Sequence, residues 1–364
     1  MVTHKQRVKC ALAHTNPDRT PRDFAAEPAV WSELMRYCGF SGRDQVLRHL
    51  DIDIRTVSYD QAFFIRKAGS NQSREEKYHP WKHINADGTW CDIWGARRKT
   101  VTNAFASYEE LCEFPLAHAK SLSDLDKYDW PHPQDWNFEQ LNSVIDSINP
   151  DDEYYLRFRL GSVFETAWSL CGFDTFLENL LLCPELPAAI MDRVTEIHIS
   201  NLNRVMAIAG NRIDMIYCYD DVAHQGGLLF SRDLWAKTVG RYHRRLFQLA
   251  RSLGKQVMYH CCGDVCPLIP DLIKIGVTAL NPIQPSAISD DFKTLKQKYG
   301  SFLSFHGGID IQNLLPNASP AEVKAAVHHA QRILGKDGGY ILAPAHHIQA
   351  DTPVSNILAM YECD

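Results

Sequence analysis

Residues 255–284 of the chain read KQVMYHCCGDVCPLIPDLIKIGVTALNPIQ, and this stretch decides the fold. It contains two short apolar runs, Gln256–His260 and Val277–Ile283, on either side of a segment whose apolar residues recur at helical spacing. That segment begins at Asp264 and ends at Gly276, and glycine commonly closes a helix. A strand, a helix and a second strand in this order predict two parallel strands joined by a crossover helix.

The same alternation extends over the chain from residue 154 onward. Further short apolar runs occupy Tyr154–Leu160, Ile213–Tyr219, Phe302–His306 and Tyr340–Ala343. With Asp51–Val57 and Thr20–Phe24 the predicted strands number eight, which favours an α/β fold of the (β/α)8 TIM barrel type. A doubly wound open sheet is the alternative, but the chain contains neither a GxGxxG nor a Walker A motif.

Two of the connecting helices have clear boundaries in the sequence. Ser231 is predicted to cap a helix that continues to Gly254, with its leucines on one face. Ser319-Pro320-Ala321-Glu322 is a capping box with proline at the first helical position, and it predicts a helix that ends at Gly335.

The first 150 residues differ from this pattern. Residues 1 to about 50 predict helices, apart from the predicted strand Thr20–Phe24. Residues 60–150 are polar, rich in Trp, Pro and Asp, and weakly periodic. We interpret this region as a lid-like or packing excursion from a single barrel domain that comprises residues 1–364.

Composition excludes several classes of protein. The chain has 364 residues, 45% hydrophobic and 23% charged, with a net charge of −6, which is typical of a globular protein and unsuited to nonspecific binding of nucleic acid or of an anionic membrane. It contains no apolar stretch of transmembrane length, and its first residues lack the apolar run of a secretory signal. We therefore expect a cytoplasmic protein whose eleven cysteines are reduced thiols.

Polar side chains follow six of the predicted strands. The set comprises Glu165, Asp220, Asp221, His260, Cys262, Asn281, Gln284, His306, His346 and His347. In a barrel, the active site lies where the carboxyl-terminal ends of the strands meet, so these residues predict one shared site. Gln225 follows the Asp221 loop, and we assign it to substrate binding together with Asn281, Gln284, His306 and His347.

His260-x-Cys262 is the motif of this set that is most specific for a function. Side chains two residues apart on a strand point to the same side, and imidazole and thiolate are good zinc ligands. A third ligand must come from another strand end, where His346 and His347 are the candidates. The alternative interpretation is that Cys261 and Cys262 are ordinary buried thiols and His260 a hydrogen-bonded core histidine.

Asp220, Asp221 and Glu165 are the candidate catalytic acids. Because adjacent strand residues face opposite sides, we expect one member of the aspartate pair to reach the site. Its carboxylate could orient a metal-bound histidine, act as general base or bind a cation, or it could simply cap a helix. Glu165 could be an oxygen ligand, a proton donor, or an acid favoured by the dipole at a helix start.

The motifs that follow the predicted strands resemble the uroporphyrinogen decarboxylase-like superfamily over nearly the whole chain. The matching segments are Pro17-Asp18-Arg19-Thr20-Pro21, Asp92-x-Trp94-Gly95, Asp220-Asp221, His260-Cys261-Cys262-Gly263, Phe305-His306-Gly307-Gly308-Ile309-Asp310, Gly338-Gly339-Tyr340-Ile341-Leu342-Ala343-Pro344 and Thr352-Pro353-x-x-Asn356-Ile357. The resemblance implies a (β/α)8 barrel, in agreement with the strand pattern.

The superfamily contains decarboxylases and methyltransferases, and the resemblance is closer to the methyltransferases. Its decarboxylases act without metal and carry an arginine-rich N-terminal segment, where this chain has only Arg19 and Arg22. Its methyltransferases bind zinc through His-x-Cys and a later cysteine, and exchange methyl groups with a corrinoid protein. His260 and Cys262 match the first two ligands, and His346 falls where the later cysteine would stand.

The resemblance thus implies a zinc-dependent methyltransferase with ligands His260, Cys262 and His346. Its expected partners are a small methylated compound, such as a methoxy-aromatic or a quaternary amine, and a corrinoid (cobalamin) on a separate protein; the chain could also form a homodimer. A His2Cys site favours zinc as a Lewis acid on an oxygen or nitrogen leaving group. The alternatives are a metal-free decarboxylase or lyase, with Arg157 and Arg159 binding the substrate, a noncatalytic binding protein, and a methyltransferase that works in the opposite direction.

Overall fold

A computed structural model describes residues 2–59, 63–64, 83–102 and 107–362. Its strands are β1 (Ile54–Ser58), β2 (His83–Ile84), β3 (Trp90–Cys91), β4 (Arg97–Thr102), β5 (Ser107–Glu113), β6 (Tyr155–Gly161), β7 (Met215–Tyr219), β8 (Ala223–His224), β9 (Gly227–Leu228), β10 (Gln256–His260), β11 (Ala279–Ile283), β12 (Ser304–Ile309) and β13 (Tyr340–Pro344).

Helices connect these strands. They are α1 (His4–Leu12), α2 (Pro28–Cys38), α3 (Arg43–His49), α4 (Leu122–Asp126), α5 (Leu141–Ile148), α6 (Phe164–Cys171), α7 (Phe173–Leu182), α8 (Glu185–Ala209), α9 (Arg232–Lys237), α10 (Val239–Ser252), α11 (Ile269–Ile275), α12 (Phe292–Tyr299), α13 (Leu314–Asn317), α14 (Pro320–Leu334) and α15 (Val354–Tyr361). Short 3₁₀ turns occur at Pro133–Asp135 and Cys266–Leu268.

Seven parallel strands form the curved central sheet of a TIM barrel-like α/β fold. Their order is β1-β6-β7-β10-β11-β12-β13, which is the order in the chain, as sequential strand–helix–strand units require. Each predicted strand of this set appears within a few residues of its predicted bounds, and β10 coincides with the predicted Gln256–His260. Buried strands of this kind are specified by continuous apolar runs.

The predicted strand Thr20–Phe24 is wrong as a regular strand, although the segment occupies the eighth position. Arg22 makes an isolated parallel bridge with Leu342 of β13. The N–H of Asp53, immediately before β1, donates to the carbonyl of Arg22 at 3.0 Å. Residues 20–24, here called the closing segment, therefore lie between the last and first strands and close the barrel. Pro21 contributes to the short pairing, because proline donates no ladder hydrogen bond.

The predicted single helix from Ser231 to Gly254 is also wrong, because the structure divides it into α9 and α10 at Thr238. The hydroxyl and the N–H of Thr238 both donate to the carbonyl of Leu234, at 2.6 and 3.0 Å. A threonine hydroxyl that bonds back to the preceding turn bends a helix. The capping box at Ser319 is confirmed, with both of its reciprocal hydrogen bonds to Glu322.

Helix α1 covers the amino-terminal end of the barrel. Its side chains Val8 and Leu12 pack on a buried layer inside the barrel that includes Ile54, Met215 and Met258. Residues two apart on a strand share a face, so the same strands present their later residues to the opposite, carboxyl-terminal mouth.

The described part of the 60–150 excursion is more regular than its sequence predicts. Strands β2–β5 form an antiparallel sheet, and α4 and α5 follow it. Trp94, Trp130 and Trp136 belong to the same hydrophobic core as the barrel, whereas Trp81 lies outside the described residues. Among the residues that the structure describes, no helix combines the length and apolar character needed to cross a membrane.

Candidate metal centre and its cavity

The structure brings the three predicted metal ligands together at the carboxyl-terminal mouth of the barrel. His260 and Cys262 come from the end of β10, and His346 lies two residues beyond β13. One donor atom from each lies within 4.8 Å of the other two. The Cys262 Sγ is 3.3 Å from the His260 Nε2. Ligands about 2.1 and 2.3 Å from a tetrahedral zinc ion lie about 3.5 Å apart, so the His260–Cys262 pair has the separation of two zinc ligands, and the His346 donor lies within 4.8 Å of both.

The protonation states of these side chains also suit a cation. Burial lowers the pKa of His260 to about 4, against the opposing effect of Asp221. Burial, with His347 alongside, lowers the pKa of His346. Both imidazoles are therefore neutral, the form that binds a metal. Burial and the carboxylate of Asp221 raise the pKa of the Cys262 thiol, so a thiolate here requires a cation beside it.

Two carboxyl side chains support the Cys262 loop from one side. Asp221, just after β7, accepts a hydrogen bond from the Cys262 N–H at 2.7 Å, and the same oxygen is 3.7 Å from the His260 Nε2. The Asp221 N–H in turn donates to Glu165 at 3.3 Å. Burial, and then the carboxylates of Asp221 and Asp220, raise the pKa of Glu165 to about 8. Glu165 therefore carries a proton at neutral pH.

Asp220, predicted as a catalytic residue, faces away from this mouth and is 1% exposed. Its carboxylate accepts hydrogen bonds from the N–H groups of Val163 and Glu165, at 2.9 and 2.8 Å, and lies 2.7 Å from the His243 Nε2. As the strand geometry predicts, one member of the aspartate pair reaches the site, and it is Asp221. Asp220 instead holds the first turn of α6, which carries Glu165.

Asn281, His306 and Gln284 lie on the other side of His260. The Asn281 Oδ1 is 2.5 Å from the His260 Nδ1, and its amide nitrogen is 2.5 Å from the His306 Nδ1. The pairing of β10 with β11 places His260 directly beside Asn281. Gln284 accepts a hydrogen bond from the Gly263 N–H at 3.1 Å, so it holds the loop that carries Cys262.

His260 and His346 line a cavity of about 490 Å³ at this mouth. Four of its lining residues, Arg157, Arg159, Tyr217 and Tyr219, alternate along β6 and β7 and face the barrel interior. The sequence predicts a role for the two arginines only in the decarboxylase alternative, and the two tyrosines were not predicted. The two tyrosines could have been predicted from the alternation along β7. Met215 points into the barrel, and residues two and four positions later on the same strand face the same side, as Arg157 and Arg159 do after Tyr155 on β6.

The family profile of uroporphyrinogen decarboxylase (URO-D) matches residues 114–363. The chain belongs to the URO-D family. The matched part contains every predicted metal ligand and all strands of the central sheet except β1.

One curated relative of this URO-D family chain, and one solved structure of similar fold, are methyltransferases. A methylated-thiol–coenzyme M methyltransferase of Methanosarcina mazei is 24% identical over 205 residues, 55% of this chain and 50% of the relative. The chain thus matches about half the length of this curated relative. A solved structure of a methyltransferase from Methanosarcina mazei has a TM-score of 0.68 at 19% identity, covering 100% of this chain and 98% of that one. That likeness shows the shared barrel fold.

Three predicted substrate-binding residues lie at the edge of the site or outside it: His347, Gln225 and Gln284. Gln284 does not line the cavity and holds the Cys262 loop instead. His347 lines the cavity but is exposed, and its Nδ1 lies 3.2 Å from Glu27. Gln225 does not line the cavity. It lies in the turn between β8 and β9 and donates a hydrogen bond to Gln312 at 3.1 Å. The β8–β9 hairpin turns Gln225 outward, which its sequence position after Asp221 did not reveal.

A second cavity of about 500 Å³ adjoins the first in this URO-D family fold. The two cavities share Arg159, Glu165 and Tyr219. Trp90 and Trp94 of the excursion form part of its wall, opposite Trp168 of α6. The excursion therefore contributes to the surroundings of Glu165, as well as packing against the barrel.

Proposed function

We propose that this chain is a zinc-dependent methyltransferase that moves a methyl group between a small methylated compound and a corrinoid protein. The observation that supports it most is the convergence of His260, Cys262 and His346 at the barrel mouth, in a family with methyltransferase relatives. Zinc held by three protein ligands keeps one position open and supplies a Lewis acid there.

The residues of the chain have separate roles in this reaction. In this reaction the bond between the methyl carbon and a heteroatom would break, and the heteroatom would keep the bonding electrons. The corrinoid partner, in its reduced Co(I) form, would supply the electron pair for its new bond to the methyl group. Glu165, protonated at neutral pH and facing both cavities, gives its proton to that heteroatom. Asp221 holds the Cys262 loop in place through the Cys262 N–H.

The Glu165 proton favours an ether over a quaternary amine as the methyl donor. A departing tertiary amine is already neutral, whereas a departing phenolate is an anion that a proton stabilises. The tryptophans of the second cavity offer apolar surface to an aromatic ring next to Glu165. We therefore propose a methoxy-aromatic compound as the donor, with its methoxy group between Glu165 and the metal ligands.

The first prediction concerns metal content. Freshly purified protein is expected to contain about one zinc per chain by elemental analysis, because three donors converge at one point. Cys262→Ser and His346→Ala should lose the zinc. Cys266→Ser, which removes another buried thiol, and His347→Ala, which removes the neighbouring imidazole, are the matched controls and should keep it.

The activity assay follows the transfer of a methyl group from methoxy-aromatic compounds to a corrinoid protein. Loss of zinc from the two ligand variants together with loss of transfer would support the proposal. A wild-type protein that takes up no zinc, even on reconstitution, would overturn it.

A metal-free decarboxylase is the second candidate, because Arg159 lines the cavity beside His260 together with Arg157, whose guanidinium also bonds to Asp23. Guanidinium groups bind carboxylates in a bidentate manner. This candidate predicts release of CO2 from an acidic substrate by metal-depleted protein. Decarboxylation that survives Cys262→Ser but not Arg159→Met would favour it over methyl transfer.

A further inference from the structure

Four side chains from β10, β11, β12 and the closing segment form one hydrogen-bonded series at the mouth of the barrel. Asp23 of the closing segment lies 2.8 Å from the His306 Nε2 on β12. The His306 Nδ1 lies 2.5 Å from the amide nitrogen of Asn281 on β11. The Asn281 oxygen lies 2.5 Å from the Nδ1 of His260, the proposed metal ligand on β10. Asp23, His306 and Asn281 are here called the relay.

Asp23, the last residue of the relay, is ionised, so its carboxylate can only accept hydrogen bonds. Burial alone would raise the pKa of Asp23, but Arg157 and His306 lower it well below its usual value. The Arg157 guanidinium donates to the Asp23 carboxylate at 2.7 Å. The backbone of Asp23 is held by Leu342, at 2.9 Å, and by the Tyr361 hydroxyl, at 2.7 Å. An ionised carboxylate is therefore fixed at the end of the series.

The direction of every bond follows from this carboxylate. Because Asp23 accepts, the His306 Nε2 must carry a hydrogen. His306 is 4% exposed, and burial lowers its pKa, so the ring is neutral and its Nδ1 accepts. The Asn281 amide must then present its NH2 to His306 and its oxygen to His260.

The Asn281 oxygen accepts from the His260 Nδ1–H, and this leaves the lone pair of His260 on Nε2. That nitrogen faces the Cys262 Sγ at 3.3 Å. We propose that Asp23, His306 and Asn281 are positioning residues that fix the tautomer of His260 so that its Nε2 can bind the metal. This inference rests on the metal site of the proposed function, but not on methyl transfer.

The first test reads the tautomer directly, in protein without metal. Histidine labelled with ¹⁵N distinguishes protonated from unprotonated ring nitrogens by NMR, and His260→Gln identifies the signals of His260. We expect Nδ1–H with a bare Nε2 in the wild type, a mixture of tautomers in Asn281→Leu, and the wild-type tautomer in Asn281→Asp, which keeps an accepting oxygen. An unchanged tautomer in Asn281→Leu would overturn the proposal.

The second test measures the affinity for Co²⁺ by its absorption spectrum, in competition with a chelator. Asn281→Leu and His306→Gln are each expected to weaken Co²⁺ binding by about 10- to 100-fold, the usual effect of losing a partner of a metal-bound histidine. Asp23→Asn serves as a milder variant should either of these fail to fold. His198→Gln is the matched control, since His198 is buried behind β6 with bonds to Tyr59 and Ser162.

The outcomes separate this inference from the proposed metal site. If the wild type binds no Co²⁺, or if Cys262→Ser binds it equally well, the metal site itself is wrong. If Cys262→Ser loses Co²⁺ while the relay variants bind it like the wild type, the metal site stands and the relay has no positioning role.

Discussion

Glu165 occupies a place where its surroundings oppose a negative charge. It lies at the junction of two cavities, with the carboxylates of Asp221 and Asp220 nearby and its own N–H bonded to Asp220. Together with burial, these neighbours raise its pKa from 4.5 to about 8. The folded protein therefore holds a proton on Glu165 over a pH range in which the unfolded chain has lost it.

This retained proton predicts a pH dependence of stability. Because the folded-state pKa is raised, the stability that depends on the proton is fully present below pH 4.5 and declines as the pH rises toward 8. In metal-free protein the free energy of unfolding should fall by at most about 1.4 kcal/mol per pH unit in this window, less the screening of a partly exposed group. Glu165→Gln, which stays neutral, should lose this contribution, whereas the slope of opposite sign from His260, whose pKa is lowered to about 4, remains in both proteins.

Denaturant unfolding of metal-free wild type and Glu165→Gln at several pH values checks the prediction. Glu185→Gln, a fully exposed carboxyl at the start of α8, is the control and should keep the wild-type slope. Equal slopes for the wild type and Glu165→Gln would show that Glu165 is already ionised at neutral pH, and would remove it as the proton donor.

At the scale of one element, β10 shows which parts of the site follow from sequence. Val257 and Tyr259 are buried on one face, while Met258 and His260 share the other. Met258 joins the apolar layer above α1, and His260 reaches the mouth. This alternation, and the polar residues after each strand, were sufficient to predict that His260, Cys262 and Asn281 lie together at the mouth, whereas the choice of His346 over His347 as the third proposed metal ligand came from the family resemblance.

Other residues could not be placed from sequence, because their position depends on the path of irregular chain. Asp23 reaches His306 only because the closing segment fits between β13 and β1, with one isolated bridge. A single bridge leaves no periodic pattern to recognise. Asp220 and Gln225 follow the same strand as Asp221, but local backbone turns direct the first beneath α6 and the second toward Gln312.

The loop after β10 depends on Gly263. Its φ of +84° is in the region that favours glycine, and an added Cβ would collide with the backbone carbonyl of His224. Gly263→Ala must therefore displace the loop that carries Cys262. We expect a loss of stability of about 2–4 kcal/mol, from the unfavourable φ and the steric overlap together, and a loss of metal binding.

Gly254→Ala is the matched control for this substitution. Gly254 also has a positive φ, of +74°, but no atom lies within 4 Å of the place where its Cβ would be. It should therefore lose only about 1–2 kcal/mol and bind metal normally. Denaturant unfolding and Co²⁺ titration of both variants would make the comparison, and equal effects would mean that the loop can absorb the added methyl group.

On the scale of the whole molecule, hydrogen bonds connect the ends of β6, β7, β10, β11 and β12 with the closing segment at the barrel mouth. They run from Glu165 through Asp221 to the Cys262 loop, and from His260 through Asn281 and His306 to Asp23. Arg157 of β6 donates a hydrogen bond to Asp23, so the series that ends at the closing segment returns to β6, the strand that precedes Glu165. The positions of His260 and Cys262, two of the proposed metal ligands, are thus tied to the closure of the barrel, which local sequence patterns do not encode.

The opposite end of the barrel is closed by a charge cluster around Asp53, which is fully buried just before β1. Its carboxylate lies 2.8 Å from the His4 Nδ1 of α1 and accepts hydrogen bonds from Arg7, at 2.6 Å, and Arg19, at 2.8 Å. It also accepts from the backbone N–H of Arg22 in the closing segment, at 2.7 Å. One side chain therefore joins α1, the closing segment and β1.

Asp53→Asn should destabilise the protein by about 3–5 kcal/mol, because it leaves buried cations without their counter-charge. Asp51→Asn is the matched control: Asp51 also pairs with Arg19, but its side chain is 47% exposed, so the loss should be below about 1 kcal/mol.

Burial opposes the ionisation of Asp53, but hydrogen bonds with His4 and Arg19 lower its pKa below 3.8. Its contribution is therefore present above that pH and is lost as the pH falls through the lowered pKa. Denaturant unfolding at neutral and acidic pH measures both effects; a loss in Asp53→Asn no larger than in Asp51→Asn would show that the apolar layer under α1 closes the barrel without the charge cluster.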